Sequence, residues 1–277
     1  MAMTINTNVA SLNAQRNTAL NTASLNTTMQ RLSSGLRVNS AKDDAAGLAI
    51  ADRMNTQVRG MNVAIRNAGD GVSMAQIAEG GLSGINDMLQ RMRELAVQAS
   101  NATNKTEDIQ KLDQEYKELS KEVNRMVGAT QFNGMTILKG SAALTFQVGA
   151  GHSANNQISV AAINMTSALS SVAGSAGVSL GSTQSAARAT IKLLDSALAE
   201  VNTNRATLGA VQSRFENTIA YLRNAVENQS AARGRIMDAD FASETANLSR
   251  AQIMQQAGTA MIAQANQLPQ GVLSLLR

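Results

Sequence analysis

The sequence predicts a mainly α protein: a long antiparallel helical bundle or coiled-coil rod with a small β-hairpin region, plus a terminal two-helix coiled coil made of both chain ends. Three observations carry this. The 277 residues include a single Pro, so the main breaker of helices is almost missing. Aromatic residues make up 2% of the chain and Trp is absent, which leaves Ala, Leu, Ile, Val and 14 Met to build the core. Such side chains suit thin helix-on-helix seams. Finally, apolar residues recur at alternating spacings of three and four over long stretches, the period that keeps one helix face on a partner.

Residues 1–42 read as one helix after a few loose residues. Its seam begins at Ile5, Val9 and Leu12, continues through Ala19 and Ala23, and ends on Leu25, Met29, Leu32 and Leu36. The other faces are mostly Asn, Thr, Ser and Gln, and the charges are Arg16, Arg31, Arg37 and Lys42 without any acid. A solvated helix carries mixed charge outside, so this face suggests contact with other protein on several sides. The competing reading is a polar, poorly folded tail. The first describes an assembly and the second a monomer, and the two are compatible.

The stretch Gln30 to Ala51 divides that uncharged part from a charged one. Arg31 lies near the end of the first helix and Gly35 can terminate it in the left-handed conformation. Asn39 or Ser40 can cap the next helix through a side-chain oxygen, with Lys42 following and Asp43 and Asp44 in the first turn, where free N–H groups favour negative charge. The stretch is expected to be a joint between two modules.

A helix over about 43–100 follows. Ala51, Met54, Val58, Met61, Ile65, Ala68, Val72 and Ala75 form its first seam, and Leu82, Ile85, Leu89, Met92, Ala96 and Ala99 a shifted second one. At 1.5 Å per residue it would be about 85 Å long. Its glycines weaken it, so packing must hold it. A second helix over about 105–127 carries Ile109, Leu112, Tyr116, Leu119, Val123 and Met126, with Glu107–Lys111 and Asp113–Lys117 as favourable pairs. Over residues 131–160 the period changes to two and Asn133-Gly134 marks a turn, which predicts a β-hairpin region. Residues 161–186 are rich in Gly, Ser and Ala and poor in charge, and are expected to be a linker or surface loop.

Helical periodicity returns over about 187–234 with Ile191, Leu194, Leu198, Val201, Leu208, Phe215, Ile219, Leu222 and Val226, where Arg205 and Gln212 occupy two seam positions. Only the helix over 43–100 is long enough to partner it. Asp238 or Asp240 can cap a last helix, whose apolar face holds Met254, Gly258, Met261, Ala265, Leu268, Val272 and Leu275. Residues 242–277 carry only Glu244, Arg250 and Arg277 as charges, mirroring the first segment. Residues 1–39 and 242–277 are therefore expected to form one inner-core module, and residues 40–241 an outer-core rod.

Several function classes are disfavoured by composition. Without Cys there are no disulfides or thiolate metal sites, and the lone His152 in a Gly/Ser/Asn-rich stretch cannot assemble a histidine metal centre. No cofactor, metal or catalytic constellation is expected. The net charge of +4 is spread among acids, with no Lys/Arg cluster and few rings for base stacking, which argues against nucleic acid. The first residues lack a basic and apolar leader pattern, and no apolar run reaches about 18 residues, so neither a cleaved signal peptide nor a membrane span is expected.

The stretch QRLSSGLRVNSAKDDAAGLAIA, from Gln30, resembles the segment near the N-terminus of bacterial flagellins, departing from its usual form at Val38 and Ala49. Further matches are TINTNVASLNAQ at the start, QRMRELAVQAS from Gln90, TQFNGMTIL from Thr130, and the end from IMDADFASE through QQAGTAMIAQANQLPQGVLSLLR. The middle of the chain is unmatched, so the resemblance is to a short form with core domains only. It implies a self-assembling filament subunit for motility, exported through the flagellar type III channel and extracellular. The implied partners are copies of itself, an export chaperone acting on the C-terminal segment, and the filament cap and hook-associated proteins.

The resemblance also implies immune recognition. Gln90, Arg91, Arg93, Glu94 and Leu95, with Glu115 on the neighbouring helix, fall on the pattern read by an animal Toll-like receptor, although such positions also pack subunits. Gln30, Arg31, Asn39, Ser40, Lys42, Asp43 and Asp44 fall in the segment sensed by a plant receptor kinase. A hook–filament junction protein of the same family is the alternative. A metalloprotease insert, found in some large flagellins, needs paired His ligands that this chain lacks.

Overall fold

The computed structural model describes residues 7–173 and 179–275, with side chains described for 7–173 and 179–267. The chain divides into two compact units, one of Met1–Thr56 with Asn228–Arg277 and one of Gln57–Glu227.

The second unit is built on two long helices and a shorter one. Helix α2 spans Ala45–Ala99 and α6 spans Gln184–Met237, both crossing the unit boundary, while α3 spans Thr106–Ala129. Their periodic faces supply the core: Leu82, Ile85, Leu89 and Met92 from α2, Ile109, Tyr116 and Val123 from α3, and Leu194, Val201, Leu208 and Phe215 from α6 are all essentially buried. Each such aliphatic side chain contributes about 1.5–3 kcal/mol on leaving water. The contacts Arg93 to Asp195 and Glu79 to Gln212 run in opposite directions along α2 and α6, so the pair is antiparallel. Along α3, Lys117 pairs with the buried Asp113 at 2.6 Å, and on the exposed face Lys111 reaches Asp108 at 3.7 Å in place of the expected Glu107.

The region expected to be one hairpin holds two antiparallel pairs. Strand β1 (Gln131–Phe132) meets β2 (Met135–Thr136) across Asn133 and Gly134, which both take positive φ, as an Asn-Gly turn requires. Strand β3 (Leu144–Gln147) pairs with β4 (Gln157–Val160) in a register that sets Leu144 opposite Val160 and Phe146 opposite Ile158. Phe146 then meets Phe215 edge to face at 5.4 Å, which fastens the sheet to α6.

Residues 161–186 depart from expectation. Short helices α4 (Met165–Ala168) and α5 (Ser170–Ala173) occupy part of this segment, and Met165, Leu169, Val172 and Leu180 are each at most 3% exposed. Helix α3 holds the segment down with two buried bonds. Tyr116 Oη donates to Val172 O at 3.2 Å, and Asp113 Oδ1 accepts from the Leu180 N–H at 2.7 Å. Burial first, and the nearby Asp113 second, push the Tyr116 phenol well above its ordinary value and keep it a donor. The low charge that suggested a loop reflects coverage by protein rather than exposure; residues 174–178 of the segment lie outside the described residues.

In the first unit, α1 (Val9–Ser34) pairs with α7 (Phe241–Leu275). Asn8 Nδ2 reaches Ala265 O at 2.7 Å, while Arg31 near the other end of α1 meets Glu244, so these two helices are also antiparallel.

Two glycines of α2 separate packing from propensity. A Cβ at Gly71 would stand 2.7 Å from Phe215 Cζ, whereas one at Gly69 would meet nothing within 4 Å. Gly71→Ala is expected to destabilise the protein by about 1–3 kcal/mol through overpacking. Gly69→Ala is expected to stabilise it by up to about 1 kcal/mol through helix propensity. Urea unfolding of the full chain measures both.

Candidate assembly and recognition surfaces

The α1–α7 seam is made of small and polar side chains. Ser11 and Thr28 of α1 and Ala251 and Ala265 of α7 are buried, and a Cβ at Gly258 would stand 2.7 Å from Thr18 Oγ1. Ser11 Oγ donates to Asn266 Oδ1 at 2.8 Å, and Asn8 both caps α1 through the Ser11 N–H and bonds across to α7. At its other end Arg31 Nη1 stands 3.3 Å from Glu244 Oε1, whose carboxylate is almost covered and is also bonded by Asn247.

This seam differs from the one read in the sequence. Gly258 and Ala265 belong to it, and Leu25 and Leu32 are half-buried. Val9, Leu12, Met29, Met254 and Met261, by contrast, are between 49% and 61% exposed. Small residues at Ala251, Gly258 and Ala265, seven apart, let the helices close on each other and leave the flanking methionines outside. Ile5, and the side chains of Leu268, Val272 and Leu275, lie outside the described residues.

Between α1 and α2 the chain turns through the stretch flagged as a joint. Gly35 takes φ 71° and its N–H donates to Arg31 O at 2.8 Å, closing α1 as its sequence predicts. Leu36 then forms an antiparallel bridge with Asp238, with Arg37 N–H on Met237 O at 2.6 Å and Ala239 N–H on Gly35 O at 3.0 Å. Arg37 Nη2 adds a bond to Ile236 O at 2.7 Å, and Val38 is buried at 3% exposure. Both passages of the chain between its helices are thus stitched together by backbone.

The caps fall elsewhere than expected. Helix α2 begins at Ala45, and Asp44 Oδ1 accepts from the Gly47 N–H at 2.8 Å, so Asp44 holds the capping place assigned to Asn39 or Ser40. Asp43 braces the preceding turn: its Oδ2 accepts from the N–H groups of Asn39 and Ser40 at 3.1 and 2.9 Å and from Ser40 Oγ at 3.0 Å. Asn39 Nδ2 in turn donates to Ser34 Oγ. Gln30 and Lys42 are exposed.

In the second unit, Gln90, Arg91, Arg93, Glu94 and Glu115 are exposed, while Leu95 is 1% exposed and belongs to the core beneath them. Arg91 is shared between helices: Nε and Nη2 bond Glu115 Oε1 of α3 at 3.0 and 2.8 Å, and Nη1 bonds Glu94 at 3.0 Å. Arg93 reaches the other way, to Asp195 of α6 at 2.6 Å, a partner the sequence reading missed because it lies far along the chain. Hydrogen bonds from these arginines to Glu115 and Asp195 raise both guanidinium pKa values further. The result is a charged, ion-paired surface across three helices. Among the described residues no cluster of three or more metal-binding side chains occurs, and no helix is long and apolar enough to cross a membrane.

The Asp43 brace is testable by titration. Its hydrogen bonds, first that of the Ser40 hydroxyl, hold the carboxyl below its ordinary value. A depressed folded-state pKa contributes stability that is present above about pH 3.9 and lost as pH falls through the folded value. The Ser40 amide resonance is expected to titrate with a midpoint below about 3.9, and Asp43→Asn is expected to remove that titration.

The comparisons with known proteins agree with this geometry. Residues 5–143 match the family described as bacterial flagellin N-terminal helical region, and residues 191–276 the bacterial flagellin C-terminal helical region. A flagellin of Halalkalibacterium halodurans is 43% identical over 276 residues, covering 99% of this chain and 100% of that protein. A flagellin of Bacillus subtilis is 40% identical over 306 residues, with the same coverages of 99% and 100%. The crystal structure of Bacillus cereus flagellin superposes with a TM-score of 0.50 at 29% identity, over 61% of this chain and 94% of that one. A putative flagellar hook-associated protein from Vibrio parahaemolyticus shares the fold, with a TM-score of 0.59 at 12% identity over 71% and 100% of the two chains. The chain belongs to the bacterial flagellin family, structural proteins that form the extracellular flagellar filament, and is a short member of it.

Proposed function

We propose that this chain is exported through the flagellar type III channel and added to the distal end of a growing filament, where residues 1–39 and 242–277 form the inner tube and residues 40–241 the surrounding layer. The observation that carries this reading is the exposure of Val9, Leu12, Met29, Met254 and Met261 on two helices that have almost no charge. Isolated exposed apolar residues need no explanation, but here they concentrate on one helix pair and lack the charged neighbours that keep a surface wet. Further copies of the chain supply the missing cover. The same C-terminal segment, before assembly, suits an export chaperone, and the filament ends engage cap and hook-associated proteins.

Recognition by an animal Toll-like receptor is assigned to Gln90, Arg91, Arg93, Glu94 and Glu115, supported by their exposure on one charged surface. Leu95 takes part only by supporting the helix, since it is buried. Recognition by a plant receptor kinase is assigned to the stretch from Gln30 to Asp44, whose joint geometry serves assembly first. The hook–filament junction protein remains the alternative within the family; the identity of 43% to a flagellin over the full length favours the filament subunit.

Removing residues 242–277 is expected to leave the second unit helical by circular dichroism and to abolish seeded polymerisation measured by sedimentation; filaments at normal yield would contradict the proposal. Arg91→Ala is expected to weaken receptor signalling in a reporter-cell assay while leaving the unfolding midpoint nearly unchanged, because its ion pairs are exposed. Leu95→Ala is expected to do the reverse at first order, lowering stability by about 2–5 kcal/mol.

A further inference from the structure

The sulfur chemistry of this chain is confined to methionine, because it contains no Cys. Its described methionines span the range of exposure, with Met54, Met88, Met126 and Met237 half-buried. Met74, Met92 and Met165 are at most 2% exposed, and Met61 is 8% exposed. Met29, Met254 and Met261 are 54%, 49% and 58% exposed, all three on the charge-poor helices α1 and α7. Met135, at 55%, is the exposed methionine of the second unit. Met254 also lines a groove of about 300 Å³ between α1 and α7, beside Thr28, Arg31 and Glu244.

We propose that Met29, Met254 and Met261 are three oxidation-sensitive positions through which peroxides control assembly. The inference rests on the filament reading, since it assigns these side chains to surfaces that close only between copies. A thioether sulfur attacks one oxygen of hydrogen peroxide, the O–O bond breaks, an S–O bond forms, and the second oxygen leaves as water. The sulfur is oxidised by two electrons and the peroxide is reduced. The product sulfoxide is polar and a strong hydrogen-bond acceptor, in place of a flexible apolar chain. Burying it between copies carries a polar group into contacts that each thioether makes as an apolar chain, and the new oxygen must give up its water to enter them. Exposure makes the free chain the sensitive form, and assembly shields the same sulfurs.

The test treats the purified full chain with hydrogen peroxide, maps sulfoxides by mass spectrometry, and follows seeded polymerisation by sedimentation. Met29, Met254, Met261 and Met135 are expected to oxidise first, with Met74, Met92 and Met165 spared. Polymerisation is expected to slow by at least about tenfold, given the apolar area each methionine would otherwise bury. The sulfoxide reductase pair is expected to restore it, and preformed filaments are expected to resist modification at the three sites. The triple variant Met29→Leu, Met254→Leu, Met261→Leu, measured against its own untreated rate, is expected to show no further slowing on peroxide treatment, although Met135 is still oxidised. Full polymerisation of the wild-type chain carrying all three sulfoxides would overturn the proposal, as would equal loss in the triple variant. Failure of the untreated wild-type chain to polymerise would instead contradict the filament reading.

Discussion

Close approach of α1 and α7 through small side chains is the constraint on which the terminal unit depends. Gly258 faces Thr18 with no room for a Cβ, and Ala251 and Ala265 stand one heptad to either side. Large residues at those positions would hold the helices apart and turn the methionines inward, giving an ordinary two-helix coiled coil closed on itself. Small ones reverse the arrangement. Hydrogen bonds between Ser11 and Asn266 and between Asn8 and Ala265 set the register, and the apolar stripe remains outside. A pair of this kind gains little from its own contacts and much from additional copies.

The second unit follows the opposite rule. Leu82, Ile85, Leu89 and Met92 meet Leu194, Val201, Leu208 and Phe215 across α2, α3 and α6, and the exposed face is charged and ion-paired. Polar groups on the seam, such as Gln212 bonded to Glu79, mark where α6 sits on α2 without leaving either amide or carboxylate alone. Arg91 and Arg93 reach from α2 to α3 and to α6 on the outside, as exposed ion pairs laid over a register that the buried seam sets.

Helix positions were legible in the sequence because the three-four ladder is set by burial and by little else. The β3–β4 pair was legible from the alternation at Leu144, Phe146 and Val148, and the β1–β2 turn from Asn133-Gly134. Residues 161–186 were misread because only Met165, Leu169 and Val172 keep the four-three spacing, a run of two steps set among Gly, Ser and Ala and too short to mark a helix. Only the polar anchors from Tyr116 and Asp113 reveal that the segment is packed. The cap at Asp44 was missed for a related reason: Asn39, Ser40, Asp43 and Asp44 are all good caps, and choosing among them needs the turn that Asp43 closes. The terminal seam was half read, since its spacing was right while side-chain size, visible at Ala251, Gly258 and Ala265, decided which face closed.

Whether α1 and α7 present their apolar stripe to other copies is decided most directly by a helical reconstruction of polymer grown from the purified chain. Val9, Leu12, Met29, Met254 and Met261 are expected to pass from about half exposed to buried against neighbouring copies, with the Ser11–Asn266 and Arg31–Glu244 contacts kept within each chain. A filament in which those five side chains still face solvent, or in which α1 and α7 separate to pair with other chains, would contradict this account of the terminal helices.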